Sequence, residues 1–246
     1  MCEECGCHEA NQHTHNQTHK HDHDHHEHKT INLQENILAQ NDRYAAQNRT
    51  SLEQKNITSL NLISSPGSGK TSLLEKTLTA VNENINTAVI VGDQETTNDA
   101  HRLKNRGAFI KQLNTHSSCH LDAHMIAHAL PETVSDQTDL LIIENVGNLV
   151  CPAAFDLGER CKVALLSCTE GEDKPVKYPA LFHKADLVLI TKADLIEHLD
   201  WDENKCRDFI GQVNYNARVI TLSALTGQGF NEWLDYLYSI CKTNKS

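Results

Sequence analysis

Ser64-Ser65-Pro66-Gly67-Ser68-Gly69-Lys70-Thr71 follows the apolar run Ser59–Ile63 and leads into a helix-compatible stretch from Ser72. These types and spacings are those of a phosphate-binding loop, with Ser64 where the first glycine is usual. Gly67, Ser68 and Gly69 form a backbone cradle whose N–H groups can face a phosphate without Cβ interference, and the following helix N-terminus adds partial positive charge. Lys70 is placed to reach β and γ phosphates, Thr71 to offer its hydroxyl to Mg²⁺, and Ser72 to bond the α phosphate. A glycine turn beside a surface lysine would explain the glycines but not the Lys-Thr that ends them.

Further along, Thr191-Lys192-Ala193-Asp194 closes an apolar run and Ser223-Ala224-Leu225 closes another. Both resemble guanine-reading elements. A carboxylate at Asp194 can accept from guanine N1–H and its exocyclic amine, a donor pair that adenine lacks, so the wrong base would leave a costly unpaired acceptor. Thr191 stands where Asn is usual, so base selection rests on Asp194, with Lys192, Ser223 and Ala224 completing the site. Asp93 and Glu144 each end an apolar run, where loops at the carboxyl edge of a parallel sheet converge on ligands. They are candidates for holding Mg²⁺, directly or through water. Glu144-Asn145-Val146-Gly147 has the form of a switch element in which Gly147 moves when the γ phosphate leaves. We count Lys70, Thr71, Asp93 and Glu144 as the catalytic set; no arginine or glutamine identifies itself as positioning the attacking water.

Two groups of soft ligands stand apart from these loops. Cys2, Cys5 and Cys7 lie close together beside the terminal amine, and Gly6 permits a tight turn. Three sulfurs with a nitrogen suit square-planar Ni²⁺ or Cu²⁺, whereas four sulfurs would suit Zn²⁺. Nine histidines between His8 and His28 follow among acids and amides, irregularly spaced, as a buffer for Ni²⁺ or Zn²⁺ would be. The second group is Cys119, His120 and Cys151, one ligand short of a tetrahedron; His124, water or a second subunit could supply the fourth. Cys151 shares a stretch with the switch element, so metal held there could respond to GTP against GDP. Cys161, Cys168, Cys206 and Cys241 lack neighbouring ligands and read as core residues.

The elements that must position these residues alternate. Short apolar runs fall at 60–64, 88–91, 109–113, 140–143, 163–167, 187–190 and 219–222, with helical patterns at 69–81, 97–106, 121–130, 202–213 and 230–240. That alternation predicts an α/β fold, a phosphate-loop NTPase with a mostly parallel sheet covered by helices on both faces. Residues 57–246 form this domain. Residues 31–56 read as a connecting helix on the spacing of Leu33, Ile37, Leu38 and Tyr44. Residues 1–30 hold almost nothing apolar and read as a tail disordered without metal.

With 22 Lys and Arg against 33 Asp and Glu the formal charge is −11, which would repel a nucleic acid or an anionic membrane. The start is not a basic stretch followed by an apolar one, and no apolar run reaches about 18 residues, so neither a signal peptide nor a spanning helix is expected. Nine closely spaced or isolated cysteines suit thiols in the reducing cytoplasm.

Together the motifs resemble the hydrogenase nickel-insertion GTPases known as HypB. The likeness runs from Cys2-x-x-Cys5-Gly6-Cys7 through Asn41-Asp42-Arg43, Ser64–Thr71, Gly92-Asp93-Gln94, Cys119-His120-Leu121-Asp122-Ala123 and Glu144–Pro152 to Glu170-Gly171-Glu172-Asp173-Lys174-Pro175. The urease nickel GTPase is similar in its nucleotide loops but carries a Cys-Pro-His motif not found here. The resemblance implies GTP hydrolysis, nickel delivery to nickel–iron hydrogenase through its large subunit precursor, and a HypA-type nickel protein as partner. It also implies a GTP-dependent homodimer with metal at its interface through Cys119, His120 and Cys151. The alternatives are a nickel store with a secondary GTPase core and an ATP-dependent kinase.

Overall fold

Among the described residues, seven strands, the central ones rich in Val, Ile and Leu, pair in parallel in the order β3-β2-β4-β1-β5-β6-β7. The computed structural model describes residues 24–93, 102, 103, 106–115 and 118–242. The strands are β1 (Thr58–Ser64), β2 (Thr87–Asp93), β3 (Phe109–Asn114), β4 (Leu140–Glu144), β5 (Cys161–Ser167), β6 (Leu187–Thr191) and β7 (Arg218–Thr221). Those in the middle are buried along their length, as a sheet covered on both faces requires.

Side-chain alternation divides the core. Leu60 and Leu62 of β1 meet Leu73, Leu74 and Leu78 of α2 (Lys70–Val81) and Trp233 of α8 (Phe230–Lys242) on one face. On the other, Leu141 and Ile143 of β4 meet Leu121 with Ile126 of α3 (Ala123–Thr133), while Ile63 and Ile190 meet Phe182 of α6 (Pro179–Lys184) and Ile210 of α7 (Glu203–Val213). Each such buried side chain contributes about 1.5–3 kcal/mol. Trp233 Nε1 satisfies its polarity by donating to Thr77 Oγ1 at 2.9 Å.

The strands and the main helices fall within a few residues of expectation. Most of the helix expected over 97–106 lies outside the described residues, although Arg102 and Leu103 are helical. Periodicity missed α4 (Cys151–Ala154), α5 (Lys174–Lys177), α6 and a 3₁₀ turn at Ala193–His198, all too short to show a period.

The region before β1 needs correction. Helix α1 runs Asp24–Gln54, so it begins inside the segment read as a disordered tail. The chain divides into Met1–Asn36 and Ile37–Ser246, so the helix from Ile37 on belongs to the globular unit rather than connecting to it. Its buried stripe is also not the apolar one. Ile37 and Leu38 are exposed, and Asn41, Ala45, Asn48 and Leu52, spaced as one helical face, are buried. The two asparagines are buried because loop backbones there need partners. Asn41 Oδ1 accepts from Ala123 N at 2.9 Å while its amide donates to Asp156 O at 2.8 Å. Asn48 Nδ2 donates to Ala123 O at 2.8 Å and Leu157 O at 3.0 Å.

Candidate functional site

The loop after β1 turns with Gly67 at φ 72° and Gly69 at φ 93°, values that L side chains rarely adopt, before α2 begins at Lys70. Together with the ends of β2 and β4 it encloses a cavity of about 500 Å³ lined by residues 66–72, Gly92, Asp93, Arg102, residues 144–147 and Lys192. The Lys70 ammonium donates to Ser64 Oγ at 2.7 Å, so the serine in the place of glycine holds the cation that the sequence assigns to phosphate. Thr71 Oγ1 donates to Glu144 Oε1 at 2.7 Å, and Asp93 lines the same cavity. Three oxygen donors and no soft ligand fit Mg²⁺.

A second cavity, about 270 Å³, opens between the β6 and β7 loops and is lined by Thr191, Lys192, Asp194, Leu195, Ser223, Ala224 and Leu225. It shares Ser68, Gly69, Ser72 and Lys192 with the first, so a base and its phosphates can occupy the two together. Ser223, fully buried, donates its hydroxyl to Asp194 Oδ1 and accepts from Leu225 N and Thr226 N, which orients the carboxylate. Leu225 is 84% exposed and offers an apolar flank to a ring. Thr191 has a role the sequence did not suggest: Oγ1 donates to Ser68 O at 2.7 Å, bracing the phosphate loop from β6.

Two residues of this site escaped sequence reading. Glu170, beyond β5, accepts from Ser65 Oγ at 2.7 Å, Ser68 Oγ at 2.8 Å and Ser167 N at 3.2 Å, and pairs with Lys174 at 3.2 Å. Burial alone would raise its pKa, but the serine hydroxyls, the Ser167 amide and Lys174 outweigh that and hold the carboxyl below its ordinary value. Arg102 lines the phosphate cavity while its guanidinium donates to Ser72 Oγ at 3.1 Å and Glu75 Oε2 at 2.8 Å. The only signal for Glu170 was its place in the 170–175 run; Arg102 had none.

The adjacent Cys119 and His120 and the distant Cys151 bring their ligand atoms within 4.8 Å of one another, each half-buried. Asp122 caps the start of α3 by accepting from Met125 N at 2.8 Å, fixing where the ligand loop ends and the helix begins. Asn148 spans both ligand loops, donating to Cys119 O at 3.4 Å and accepting from Val150 N at 2.9 Å. The His120 ring lies 4.0 Å from that of Phe155. Contact with Cys151, then burial, pushes the Cys119 thiol up, so it stays protonated until an ion displaces the proton; burial pushes His120 down, keeping it a neutral ligand. Two sulfurs and an imidazole suit Ni²⁺ or Zn²⁺.

His124 does not join this cluster. Its Nε2 lies 3.0 Å from His128 Nε2 on the exposed side of α3, and its ring packs against Tyr44. Cys161, Cys168, Cys206 and Cys241 are buried in the core as expected, and burial pushes Cys206 up to about 12. Cys2, Cys5 and Cys7 lie outside the described residues. No described helix is long and apolar enough to cross a membrane.

Residues 59–221 match the family model described as "CobW/HypB/UreG, nucleotide-binding domain". The hydrogenase maturation factor HypB of Azotobacter vinelandii is 52% identical over 209 residues, covering 85% of this chain and 69% of that protein. Among solved structures, HypB from Archaeoglobus fulgidus superimposes with TM-score 0.78 at 39% identity, covering 83% of this chain and 100% of the other. HypB from Helicobacter pylori, crystallised in complex with nickel, gives TM-score 0.78 at 35% identity, covering 83% and 96%.

Proposed function

Because the chain belongs to the HypB hydrogenase maturation factors within the CobW/HypB/UreG nucleotide-binding family, we propose that it hydrolyses GTP to GDP and phosphate to control its hold on nickel destined for nickel–iron hydrogenase. The observation that carries this is continuity. Residues 144–147 line the phosphate cavity, and the chain passes through Asn148 directly to Cys151 of the thiol–imidazole cluster. A relative of known structure holds nickel, which supports that ion as the cargo here.

The roles follow from position. Asp194, oriented by Ser223, accepts from guanine, and Lys192 lies between base and phosphates. Lys70 exchanges Ser64 Oγ for phosphate oxygens, a charge-assisted contact stronger than the one it leaves. Thr71, Asp93 and Glu144 would hold Mg²⁺, which when bound neutralises charge on the β and γ phosphates. Departure of the γ phosphate frees Gly147, and the change reaches Cys151 along the same stretch.

Three protein ligands leave a coordination position open, and Val150 beside Cys151 is 61% exposed. Both features suit a GTP-dependent homodimer that places the metal at its interface and completes the hydrolytic site. Cys2, Cys5, Cys7 and the histidine tract would hold further nickel, exchanged with a HypA-type protein and passed to the hydrogenase large subunit precursor in the cytoplasm. An intact phosphate cradle speaks against a store with an idle core, and the Asp194 pocket against an ATP-dependent kinase.

The test is nickel titration of the full chain carrying Cys2→Ser, Cys5→Ser and Cys7→Ser, with GDP and with a non-hydrolysable GTP analogue. Beside the histidine tract, one further nickel site per chain should remain, with an affinity that differs about 5- to 150-fold between nucleotides. Indifference of that site to both nucleotides would remove the proposal's basis.

A further inference from the structure

Between the phosphate cavity and the thiol cluster runs a buried polar chain to which nothing above gives a role. Asn145 is 2% exposed and follows Glu144 at the end of β4. Its side-chain oxygen accepts twice, from Leu121 N at 3.2 Å and from Val146 N at 3.0 Å. Leu121 immediately follows Cys119 and His120, and Val146 immediately precedes Gly147. A single oxygen therefore holds the backbone of the ligand loop and that of the nucleotide loop.

The amide end cannot exchange places with that oxygen. Asn145 Nδ2 donates to Asn61 Oδ1 at 3.2 Å, Asn61 Nδ2 donates to Glu159 Oε1 at 3.2 Å, and Glu159 pairs with Lys162 at 3.1 Å. All four residues are buried. Turning either amide would set donor against donor, so the network fixes which atom faces the two N–H groups.

The nucleotide loop lines the cavity, and the ligand loop packs on a strand end that lines it. A Cβ on Gly147 would stand 3.1 Å from Pro66 Cα, so this glycine lies against the phosphate loop. A Cβ on Gly92 would stand 2.7 Å from Leu121 Cγ, so Leu121 packs onto the backbone that leads into Asp93. When Gly147 shifts, Val146 N moves with it, and an oxygen bonded to two N–H groups within 3.2 Å cannot follow one without straining the other. Losing one such buried bond changes an equilibrium by about 5- to 150-fold, the size of an ordinary allosteric coupling.

We infer that Asn145 is the positioning residue that carries the nucleotide state to the Cys119–His120–Cys151 cluster, through the carbonyl oxygen shared by Leu121 and Val146. The inference rests on the GTPase and metal reading above and names the side chain through which it works.

Linkage makes nickel alter nucleotide affinity by the same factor that nucleotides alter nickel affinity. Fluorescent GDP and GTP-analogue affinities are measured with and without nickel in the full chain bearing the three N-terminal serines, then in that chain with Asn145→Ala or Asn61→Ala. In the parent, nickel should change the analogue-to-GDP affinity ratio about 5- to 150-fold. In Asn145→Ala the effect of nickel on that ratio should disappear, and hydrogen exchange at the Leu121 amide should no longer differ between nucleotides. Asn61→Ala lies outside cavity and cluster, and should weaken the nickel effect while leaving nickel-free binding unchanged; it decides the matter if Asn145→Ala does not fold. A purely structural role would weaken both nucleotides alike and keep the ratio. A full nickel effect in the folded variants overturns the inference alone; a parent without any nickel effect overturns the coupling reading and the inference with it.

Discussion

Glu170 shows how one side chain can shape a phosphate loop through that loop's own serines. Its carboxylate accepts from Ser65 and Ser68 on the loop that wraps the nucleotide, and Lys174 neutralises it from the following turn. Glu170→Gln keeps the size but loses charge and puts an amide donor where hydroxyls donate; it should weaken GDP binding about 10-fold by fluorescence titration, and an unchanged affinity would count against this role. The acid response gives the sign. A carboxyl held below its ordinary value of 4.5 contributes stability fully above that pH, and loses it as pH falls through the lower folded value. The stability difference between the natural chain and Glu170→Gln should therefore be constant near neutrality and shrink below about pH 4.5 in urea denaturation.

At the scale of elements, the stripe of α1 from Asn41 to Leu52 decides where the ligand loops stand. Asn41 and Asn48 each bridge the start of α3 to the 156–157 segment, and Arg49 fixes the latter through both oxygens of Asp156 at 2.7 and 2.8 Å. That clamp joins the segment just after Cys119 and His120 to the one just after Cys151. Asn48→Ala leaves two buried carbonyls without their donor, at about 1–3 kcal/mol each. It should lower unfolding free energy by roughly 2–4 kcal/mol in urea and weaken nickel binding at the cluster. Should both quantities stay within error of the natural chain, the clamp is ornamental.

For the whole molecule, the parallel sheet matters because it gathers the carboxyl ends of β1, β2, β4, β5 and β6 at one edge, where the proposed base, phosphate and metal sites adjoin. The net charge of −11 makes self-association work against repulsion, so an interface needs something to offset it. Nickel at Cys119, His120 and Cys151 is that element in the proposed dimer. Sedimentation of the full chain should show dimers with GTP analogue and nickel together, and monomers with GDP alone. Cys151→Ser should abolish the nickel dependence; persistence of the dimer in that variant would place the interface elsewhere.

The amino-acid sequence by itself determined the sheet, because β-branched and leucine runs of strand length need burial on both faces, and it determined the phosphate cradle, because Gly67, Gly69, Lys70 and Thr71 act within one turn of chain. It also named Asp194, Ser223, Cys119, His120 and Cys151, whose chemistry is written in their side chains. Tertiary structure alone decided the rest: that His124 turns to His128, that Thr191 and Glu170 brace a loop more than a hundred residues earlier, and that the buried face of α1 includes Asn41 and Asn48 beside Ala45 and Leu52. Thr191, Asn41 and Asn48 work through backbone groups distant in sequence and Glu170 through distant serine hydroxyls, and partners that only the fold brings together leave no trace in residue type or periodicity.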